Sequence, residues 1–334
     1  MKKKEIQQLI ESGNLPDRSG STRLEETHIS WVILTDRYAF KIKKPVRYTF
    51  VDFSTLRKRR HYCHEELELN SRLAPEVYLK VLPITSVMIQ GGDPRDQDRV
   101  VDYAVQMKKL DQDKEMHRML ARRKVTSKHL DQLASQMARF HRHARIIKNV
   151  FDTTGFQEAF DDLLQQMSFI VQSLGVEWEH KIRECSQRSN VFLNAHRNLM
   201  NQRIITNKRR DCHGDFNATN IFLYEKPVIV DGIEFNRSLR QIDVLNEIAF
   251  LSVDLDFYGD PGLSDYFYRQ YMKEWGEEET FFSRKLFLYY KGYRANVLAK
   301  IAAIRAKEKG GQELVHDMGK YLRLMEGYSK ALAS

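Results

Sequence analysis

The chain of 334 residues, 42% hydrophobic and 30% charged, has the composition of a soluble globular protein and the length of two lobes rather than one core. It holds no apolar run long enough to cross a membrane and no secretory signal at its N-terminus, and its three widely spaced cysteines fit a reduced, cytoplasmic setting. The net charge of +9 disfavours a polycationic substrate, which would prefer an acidic cleft.

The first elements predicted from the sequence are a short helix and a β-hairpin. The helix covers residues 5–13 and ends at Gly13. β-Forming residues at 27–34 and 38–44 flank a turn and predict the hairpin. No glycine-rich loop precedes the hairpin, and no P-loop sequence occurs in the chain. The candidates for a phosphate-covering loop are therefore small or polar: Ser19, Gly20, Ser21 and Thr22.

The second strand of this hairpin carries a candidate nucleotide-binding lysine. Strand alternation puts Ala39 and Lys41 on one face and Phe40 and Ile42 on the other. A small residue two positions before a lysine leaves room for an adenine ring beside an ammonium that binds phosphate, as in kinase strands of the V-A-I-K type. Lys41 is therefore predicted to contact the nucleotide, with Lys43 as the alternative. An edge-strand lysine that guards against aggregation is the competing explanation, above all for Lys43 and Lys44.

A helix is predicted to follow, with Ser54 as its N-cap. Glu66 falls on the apolar stripe of this helix, and a carboxylate on a packed face requires a partner. We expect that partner to be Lys41, in the ion pair that holds a kinase lysine in place. Glu65 and Glu68 are alternatives whose positions favour solvated side chains.

Two further strands are predicted at 77–84 and 100–107, with a Gly-Gly-Asp-Pro-Arg loop between them. In a bilobal kinase, backbone groups at the end of the second strand read the adenine edge. We therefore assign that role to Gln106, Met107 and Lys108 by their position.

The remainder of the chain is predicted to be mainly helical. Residues 127–145 repeat apolar side chains at helical spacing, with His141 on the apolar stripe, where a core histidine is a better explanation than a ligand or base. Residues 151–210 are also predicted as helical, and the last helix is predicted at 313–332.

Polar side chains with catalytic potential concentrate between residues 211 and 234. His213, Asp215 and Asn220 have the spacing H-x-D-x-x-x-x-N of a kinase catalytic loop, and Asp231 follows a predicted hairpin. Phosphoryl transfer needs an oriented acceptor hydroxyl and firmly held Mg²⁺, which a loop carboxylate, a loop amide and a second carboxylate can supply. A hairpin whose Asp and Asn merely make turns is the alternative.

The segments HGDFNATNIF and VIVDGIEFN make the chain resemble the aminoglycoside phosphotransferase and choline kinase-like family. The resemblance runs from Glu26 to the helix that contains the Tyr-Arg-Ala sequence near residue 294. It implies an α+β, bilobal protein kinase-like fold, with a small antiparallel-sheet N-lobe at 1–107 and a mainly helical C-lobe at 108–334.

The resemblance also implies an enzyme that uses ATP and Mg²⁺ to phosphorylate a hydroxyl group of a small molecule. Asp215 would orient or deprotonate that hydroxyl, and His213 would brace the loop. Asn220 and Asp231 would hold the metal, with Glu234 as a further metal or supporting carboxylate. Lys41, fixed by Glu66, would contact the α- and β-phosphates.

Two further implications concern regions outside these motifs. Asp243 resembles a buried aspartate that supports the catalytic loop in the family, whereas Asp254 is expected to be structural. The helical region 151–210 corresponds to the part of the family that shapes the acceptor pocket, so we expect acceptor specificity there.

Two other functions remain as alternatives. Glycoside hydrolysis by Asp215 with Asp231 or Glu234 would leave the histidine, the amide and the strand lysine unexplained. A nucleotide-binding regulator or a basic nucleic-acid-binding protein on a kinase-like scaffold would use the basic clusters of the chain. These clusters are Lys2–Lys4, Lys41–Lys44, Arg57–His61, Arg122–Lys124 and Lys208–Arg210.

Overall fold

The computed structural model describes residues 1–17, 22–48, 50–90, 99–258 and 261–333. Residues 19–21 of the predicted phosphate-covering segment and the Gly-Gly-Asp-Pro-Arg loop lie outside these ranges. Within them, no helix combines the length and the apolar character that a membrane span requires.

Helices make up most of the described chain. The longest, near the middle and the end of the chain, have 29 residues each. In chain order the helices are α1 (Lys3–Ser12), α2 (Leu56–Ser71), α3 (Ser86–Gln90), α4 (Met116–Ala121), α5 (Ser127–His143), α6 (Thr153–Asp161), α7 (Met167–Leu174), α8 (Glu177–Ile205), α9 (Arg237–Arg240), α10 (Val244–Phe257), α11 (Pro261–Trp275), α12 (Phe281–Lys309) and α13 (Gln312–Ala333).

The strands form one antiparallel sheet of five and two small pairs. The five-stranded sheet has the order β1-β2-β3-β5-β4, while β6 pairs with β9 and β7 with β8. The strands are β1 (Arg23–Glu26), β2 (Ser30–Leu34), β3 (Tyr38–Lys43), β4 (Tyr78–Thr85), β5 (Val100–Lys108), β6 (Arg209–Asp211), β7 (Ile221–Phe222), β8 (Val228–Ile229) and β9 (Gln241–Asp243).

The chain folds as two compact units, one of residues 1–115 with 220–240 and the other of residues 116–219 with 241–334. A small antiparallel sheet at the N-terminus and a mainly helical remainder confirm the predicted α+β fold class. The predicted lobe boundary at residue 107 stays a prediction.

The first unit is built around the two faces of its sheet. On one face Phe40 and Ile42 of β3 pack with apolar residues of α1 and α3 in a buried core. On the other face α2 lies against β5, with Cys63 packed near Val105. Because side chains alternate along β3, the second face also carries Ala39, Lys41 and Lys43.

The second unit is organised around buried helices. One core joins residues of α8, α10, α12 and α13. α10 is buried over nearly its whole circumference, so the polar residues on it also lie in the interior. Such residues need partners within the protein, because water cannot reach them.

Two local expectations are wrong, and one strand was missed. Thr55, not Ser54, caps α2, because its hydroxyl accepts a hydrogen bond from Lys58 N. The four-residue edge strand β1 was not predicted. The helical segment predicted to reach residue 210 ends at Ile205, and β6 follows it.

Candidate functional site

A lysine between two carboxylates is the central feature of the first unit. Lys41 Nζ lies 2.8 Å from Glu66 Oε1 and also contacts Asp231 Oδ1. The three residues come from β3, α2 and the loop after β8, so three separate elements meet at this ammonium. The structure therefore brings together three of the predicted site residues.

Lys43 forms a second, deeper cluster beside the first. Its ammonium lies 2.6 Å from Glu66 Oε2, contacts Glu234 Oε1, and stands 4.8 Å from the centroid of the Phe53 ring. The side chain of Lys43 is 0% exposed, whereas that of Lys41 is 13% exposed. Of the two lysines on this face, Lys41 is the one that can reach a ligand.

The charges of Lys41 and Glu66 stabilise each other. Burial alone would lower the pKa of Lys41, but the carboxylates of Asp231 and Glu66 outweigh it and raise that pKa well above its usual value. Burial likewise raises the pKa of Glu66, but Lys41 and Lys43 more than offset this and hold it at about 2. For Glu234, burial outweighs the attraction of Lys43, and its pKa is raised.

The loop that carries Asp231 is held by hydrogen bonds from its backbone. Asp231 N donates to Tyr78 Oη at 3.0 Å, and Gly232 N donates to Asn70 Oδ1 at 2.7 Å. Asp231 has φ = 64°, a left-handed conformation that an aspartate adopts only with support from its surroundings. These two bonds provide part of that support, and they leave the Asp231 carboxylate 49% exposed.

Asn220 lies at the open end of the β7–β8 hairpin. Ile221 pairs with Ile229, and Val230 N donates to Asn220 O at 2.9 Å. This ladder puts Asn220 opposite the residue that precedes Asp231. The predicted metal ligands Asn220 and Asp231 therefore lie at the same end of this short hairpin.

The residues predicted to surround adenine lie on both faces of the sheet. Ala39 pairs with Met107 on the Lys41 face, whereas Gln106 pairs with Phe40, so the Gln106 side chain points to the opposite face. Lys108 N donates to Val77 O at 2.9 Å, so this amide already has its acceptor. Ala39 and Met107 are the predicted base-binding residues whose side chains share a face with the lysine.

The second unit contains the predicted catalytic loop. Asn217 Nδ2 donates to Asp215 Oδ1 at 2.8 Å, and Asp215 N donates to His213 Nδ1 at 3.3 Å. His213 is buried, while Asp215 is partly exposed. The amide of Asn217 and the ring of His213 therefore fix the Asp215 carboxylate and backbone within the loop.

Two acids of α10 support this loop: Glu247, which was not predicted, and Asp254, which was expected to be structural. Glu247 accepts hydrogen bonds from His213 N at 2.6 Å and from Gly214 N at 2.9 Å. Asp254 Oδ2 accepts one from Ala218 N at 2.7 Å. The signal for Glu247 was a carboxylate inside the apolar run of α10, which demands a buried partner.

Asp243, expected to support the loop, has another role. Its carboxylate accepts hydrogen bonds from Arg203 Nε at 2.6 Å and Nη2 at 2.9 Å. It also caps α10 by accepting from Leu245 N at 2.8 Å. The expectation for Asp243 is therefore wrong, and Glu247, one helical turn later, takes the place assigned to it.

The environment shifts the pKa values of these two acids in opposite directions. Burial raises the pKa of Asp254 to about 7, with the charge of Asp215 adding to the rise and the Ala218 hydrogen bond opposing it. The pKa of Glu247 is lowered below its usual value. Burial would raise it, but the contact with His141 and the polar groups of His213 outweigh burial. His141 lies in the core, as predicted, with Nδ1 2.8 Å from Tyr271 Oη and Nε2 3.6 Å from Glu247 Oε2.

Comparison with known sequences gives relatives without an assigned activity. No protein-family model matches the chain. An uncharacterised protein of Mycobacterium tuberculosis (strain H37Rv) is 30% identical over 308 residues, a match that covers 90% of the chain and 58% of that protein. An uncharacterised protein of Mycobacterium bovis matches to the same extent. The chain thus spans less than two thirds of the length of these curated relatives.

Comparison with solved structures identifies the fold. A choline/ethanolamine kinase family protein from Mesorhizobium loti has a TM-score of 0.58 and 15% identity, over 99% of this chain and 95% of that one. A GDP complex of an aminoglycoside 2'-phosphotransferase-IIIa mutant has a TM-score of 0.58 and 16% identity, over 99% and 98%. Choline kinase from Cryptosporidium parvum Iowa II has a TM-score of 0.56 and 12% identity, over 97% and 95%. The chain therefore has the bilobal, kinase-like fold of the choline kinases and aminoglycoside phosphotransferases, and the resemblance that its motifs indicated is confirmed at the level of the fold.

Proposed function

We propose that the chain is a kinase that transfers the γ-phosphate of ATP, in the presence of Mg²⁺, to a hydroxyl group of a small molecule. The observation that carries this proposal is the position of the Lys41 ammonium between the carboxylates of Glu66 and Asp231. A lysine held by a helix glutamate beside a half-exposed loop aspartate is what a nucleotide phosphate and its metal require. The kinases of the same fold, one of them solved with GDP, support it.

In this proposal the first unit binds the nucleotide. Lys41 would contact the α- and β-phosphates, with Glu66 fixing its direction, and Ala39 and Met107 would lie beside the base. Asn220 and Asp231 fit Mg²⁺ because an amide and a carboxylate offer the oxygen ligands that this hard cation prefers. When bound, Mg²⁺ would neutralise charge on the phosphate oxygens.

The second unit would supply the group that acts on the acceptor. Asp215 would accept a hydrogen bond from the attacking hydroxyl and take its proton as transfer proceeds. Asn217 would keep the Asp215 carboxylate in one orientation, since its amide donates to Oδ1. His213 and Glu247 would hold the backbone of the loop.

The basic-protein alternative is less well supported than the kinase. Of the cluster at residues 41–44, Lys43 is enclosed with Glu66 and Glu234, and Lys44 pairs with Glu26 at 2.6 Å. A nucleic-acid surface needs cations that remain available to phosphates.

All three cysteines are buried and unbridged, which fits the reduced conditions of the cytoplasm, where we place the enzyme.

The test is phosphotransfer from ATP to a panel of hydroxylated metabolites, with and without Mg²⁺. We expect metal-dependent turnover by the wild type and a loss of about 100-fold or more in kcat for Asp215→Asn, with nucleotide affinity kept. Asp231→Asn should weaken binding of the metal–nucleotide complex. If wild type and both variants bind nucleotide alike and none turns it over, a nucleotide-binding regulator replaces the enzyme. GTP in place of ATP identifies the preferred nucleotide.

A further inference from the structure

The buried pair of Lys43 and Glu234 has no role in the proposed reaction. Lys43 is fully enclosed and Glu234 is nearly so. Burying an ion pair removes two charges from water, and an apolar pair of similar volume is often as stable or more stable. Stability alone is therefore a weak reason for this chain to carry these two residues.

The pair fixes the far end of the loop that presents Asp231. Tyr78 and Asn70 accept hydrogen bonds from the first two amides of this loop, at Asp231 and Gly232. Glu234, three residues after Asp231, then anchors the loop to β3 through Lys43. Lys43 lies on the same strand as Lys41. The loop is therefore attached to β3 at two points, by Asp231 at Lys41 and by Glu234 at Lys43.

Glu66 connects the two attachment points. Its Oε1 lies at Lys41 and its Oε2 at Lys43, so one carboxylate from α2 serves both lysines. The cluster holds three carboxylates and two ammonium groups, and Asp231 is its most exposed member. The excess negative charge therefore lies where a cation can approach, provided that the loop keeps Asp231 there.

We propose that Lys43 is a positioning residue that, by holding Glu234, keeps the loop from Asp231 to Glu234 in the conformation that offers the Asp231 carboxylate to a metal–nucleotide complex. Without Lys43, the Glu234 carboxylate loses its ion-pair partner inside the protein, and it either takes up a proton or moves away from this site. The loop then loses its second attachment, and the left-handed conformation at Asp231 loses support. This inference rests on the proposed function for its ligand, but the attachment of the loop can be measured without any ligand.

The first experiment compares Lys43→Met, the double variant Lys43→Met/Glu234→Leu, and the control Lys44→Met by calorimetric titration. The double variant removes both charges at similar volume, so it avoids the buried, unpaired carboxylate of the single variant. We expect it to bind ATP with Mg²⁺ about tenfold or more weakly, the size typical for loss of a group that orients a metal ligand. Its affinity for ATP with EDTA should change much less. Lys44→Met removes the neighbouring lysine, which pairs with Glu26, and should match the wild type.

The second experiment measures hydrogen exchange of the Asp231 and Gly232 amides in the unliganded proteins. The double variant should exchange these amides faster than the wild type while its global unfolding free energy is no lower. Wild-type exchange rates, or wild-type affinity for ATP with Mg²⁺, in a folded double variant would overturn the proposal. If the wild type itself binds no nucleotide, the kinase proposal fails, and the exchange rates alone decide the role of Lys43.

Discussion

Glu247 and Asp254 lie seven residues apart on α10, and both accept hydrogen bonds from backbone amides of the loop that carries Asp215. Seven residues make about two helical turns, so both carboxylates project from the same side of the helix. One rigid, buried helix therefore holds the loop on either side of Asp215, at His213 and at Ala218. A catalytic carboxylate on a loop needs such support to keep its orientation.

Glu247→Gln should slow phosphotransfer without weakening nucleotide binding. Glutamine offers one oxygen and one NH₂ to two backbone N–H groups, so one bond is lost and two donors face each other. Misplacing a catalytic group by about 1 Å can cost about 100-fold in rate, so a partial loss of loop support should lower kcat by about tenfold or more.

Steady-state kinetics with varied ATP separates the two effects for this variant. The nucleotide KM should stay near that of the wild type, because Glu247 contacts the loop of the second unit. Glu278→Gln, an exposed change in the same unit, is the matched control. An equal fall in nucleotide affinity and in kcat would contradict the assigned role.

Asp254 should make stability depend on pH. Its pKa in the folded protein is raised to about 7, above the value of about 3.9 in an unfolded chain. The folded state therefore binds this proton more tightly. The stabilisation from Asp254 is complete below the unfolded pKa and is lost as the pH rises through about 7.

Asp254→Asn is the matching variant, because asparagine keeps an oxygen acceptor for Ala218 N and does not titrate. We expect the melting temperature of the wild type, relative to this variant, to fall as the pH rises from about 5 to about 8. Thermal unfolding in a series of buffers measures the difference. A difference that is constant over this range would show that the carboxyl titrates normally.

Lys41→Met should lower both stability and nucleotide affinity. Removing one member of a buried ion pair costs about 3–5 kcal/mol when its partner is left alone. Glu66 keeps Lys43 and Asp231 reaches solvent, so we expect a smaller loss, of about 1–3 kcal/mol by urea unfolding. Lys41→Arg keeps the charge but not the shape of the donor. It should therefore retain more of the wild-type stability than of the wild-type turnover. Equal turnover by arginine and lysine would contradict a shape-dependent contact with phosphate.

Asn70→Ala should destabilise the first unit by removing the acceptor of Gly232 N. A buried N–H left without a partner costs about 1–3 kcal/mol, measured as a shift in the urea midpoint at constant slope. Asn236→Ala is the control, because Asn236 Oδ1 accepts local, exposed bonds from Ser238 N and Oγ. Its effect should be within about 0.5 kcal/mol. Equal effects of the two changes would mean that Asn70 does not hold the loop.

The alternation of side chains predicts the two faces of β3 because Phe40 and Ile42 are apolar and need the core. It does not separate Lys41 from Lys43, which share a face. Lys41 is 13% exposed, whereas Lys43 is 0% exposed and contacts Glu234, which lies 191 residues after it in the chain. A local sequence pattern carries no information about a contact between residues so far apart in the chain.

The acids of α10 illustrate a different limit. The helix is apolar on nearly every side, so helical periodicity gives no direction to Glu247. β1 escaped prediction because its four residues, Arg-Leu-Glu-Glu, lack the β-branched and aromatic residues that mark strands. Ser54 and Thr55 are adjacent hydroxyl residues, and only the backbone geometry decides which of them caps the helix.

The segment 220–240 completes a unit whose other residues all precede position 116. During synthesis, the ribosome must add more than a hundred residues after the sheet before Glu234 emerges. Until then Lys41 and Lys43 of β3 lack the carboxylates of Asp231 and Glu234, which they contact in the folded protein. Closing contacts of such long sequence separation is slow, so we expect the nascent sheet to stay incompletely stabilised until this segment is added.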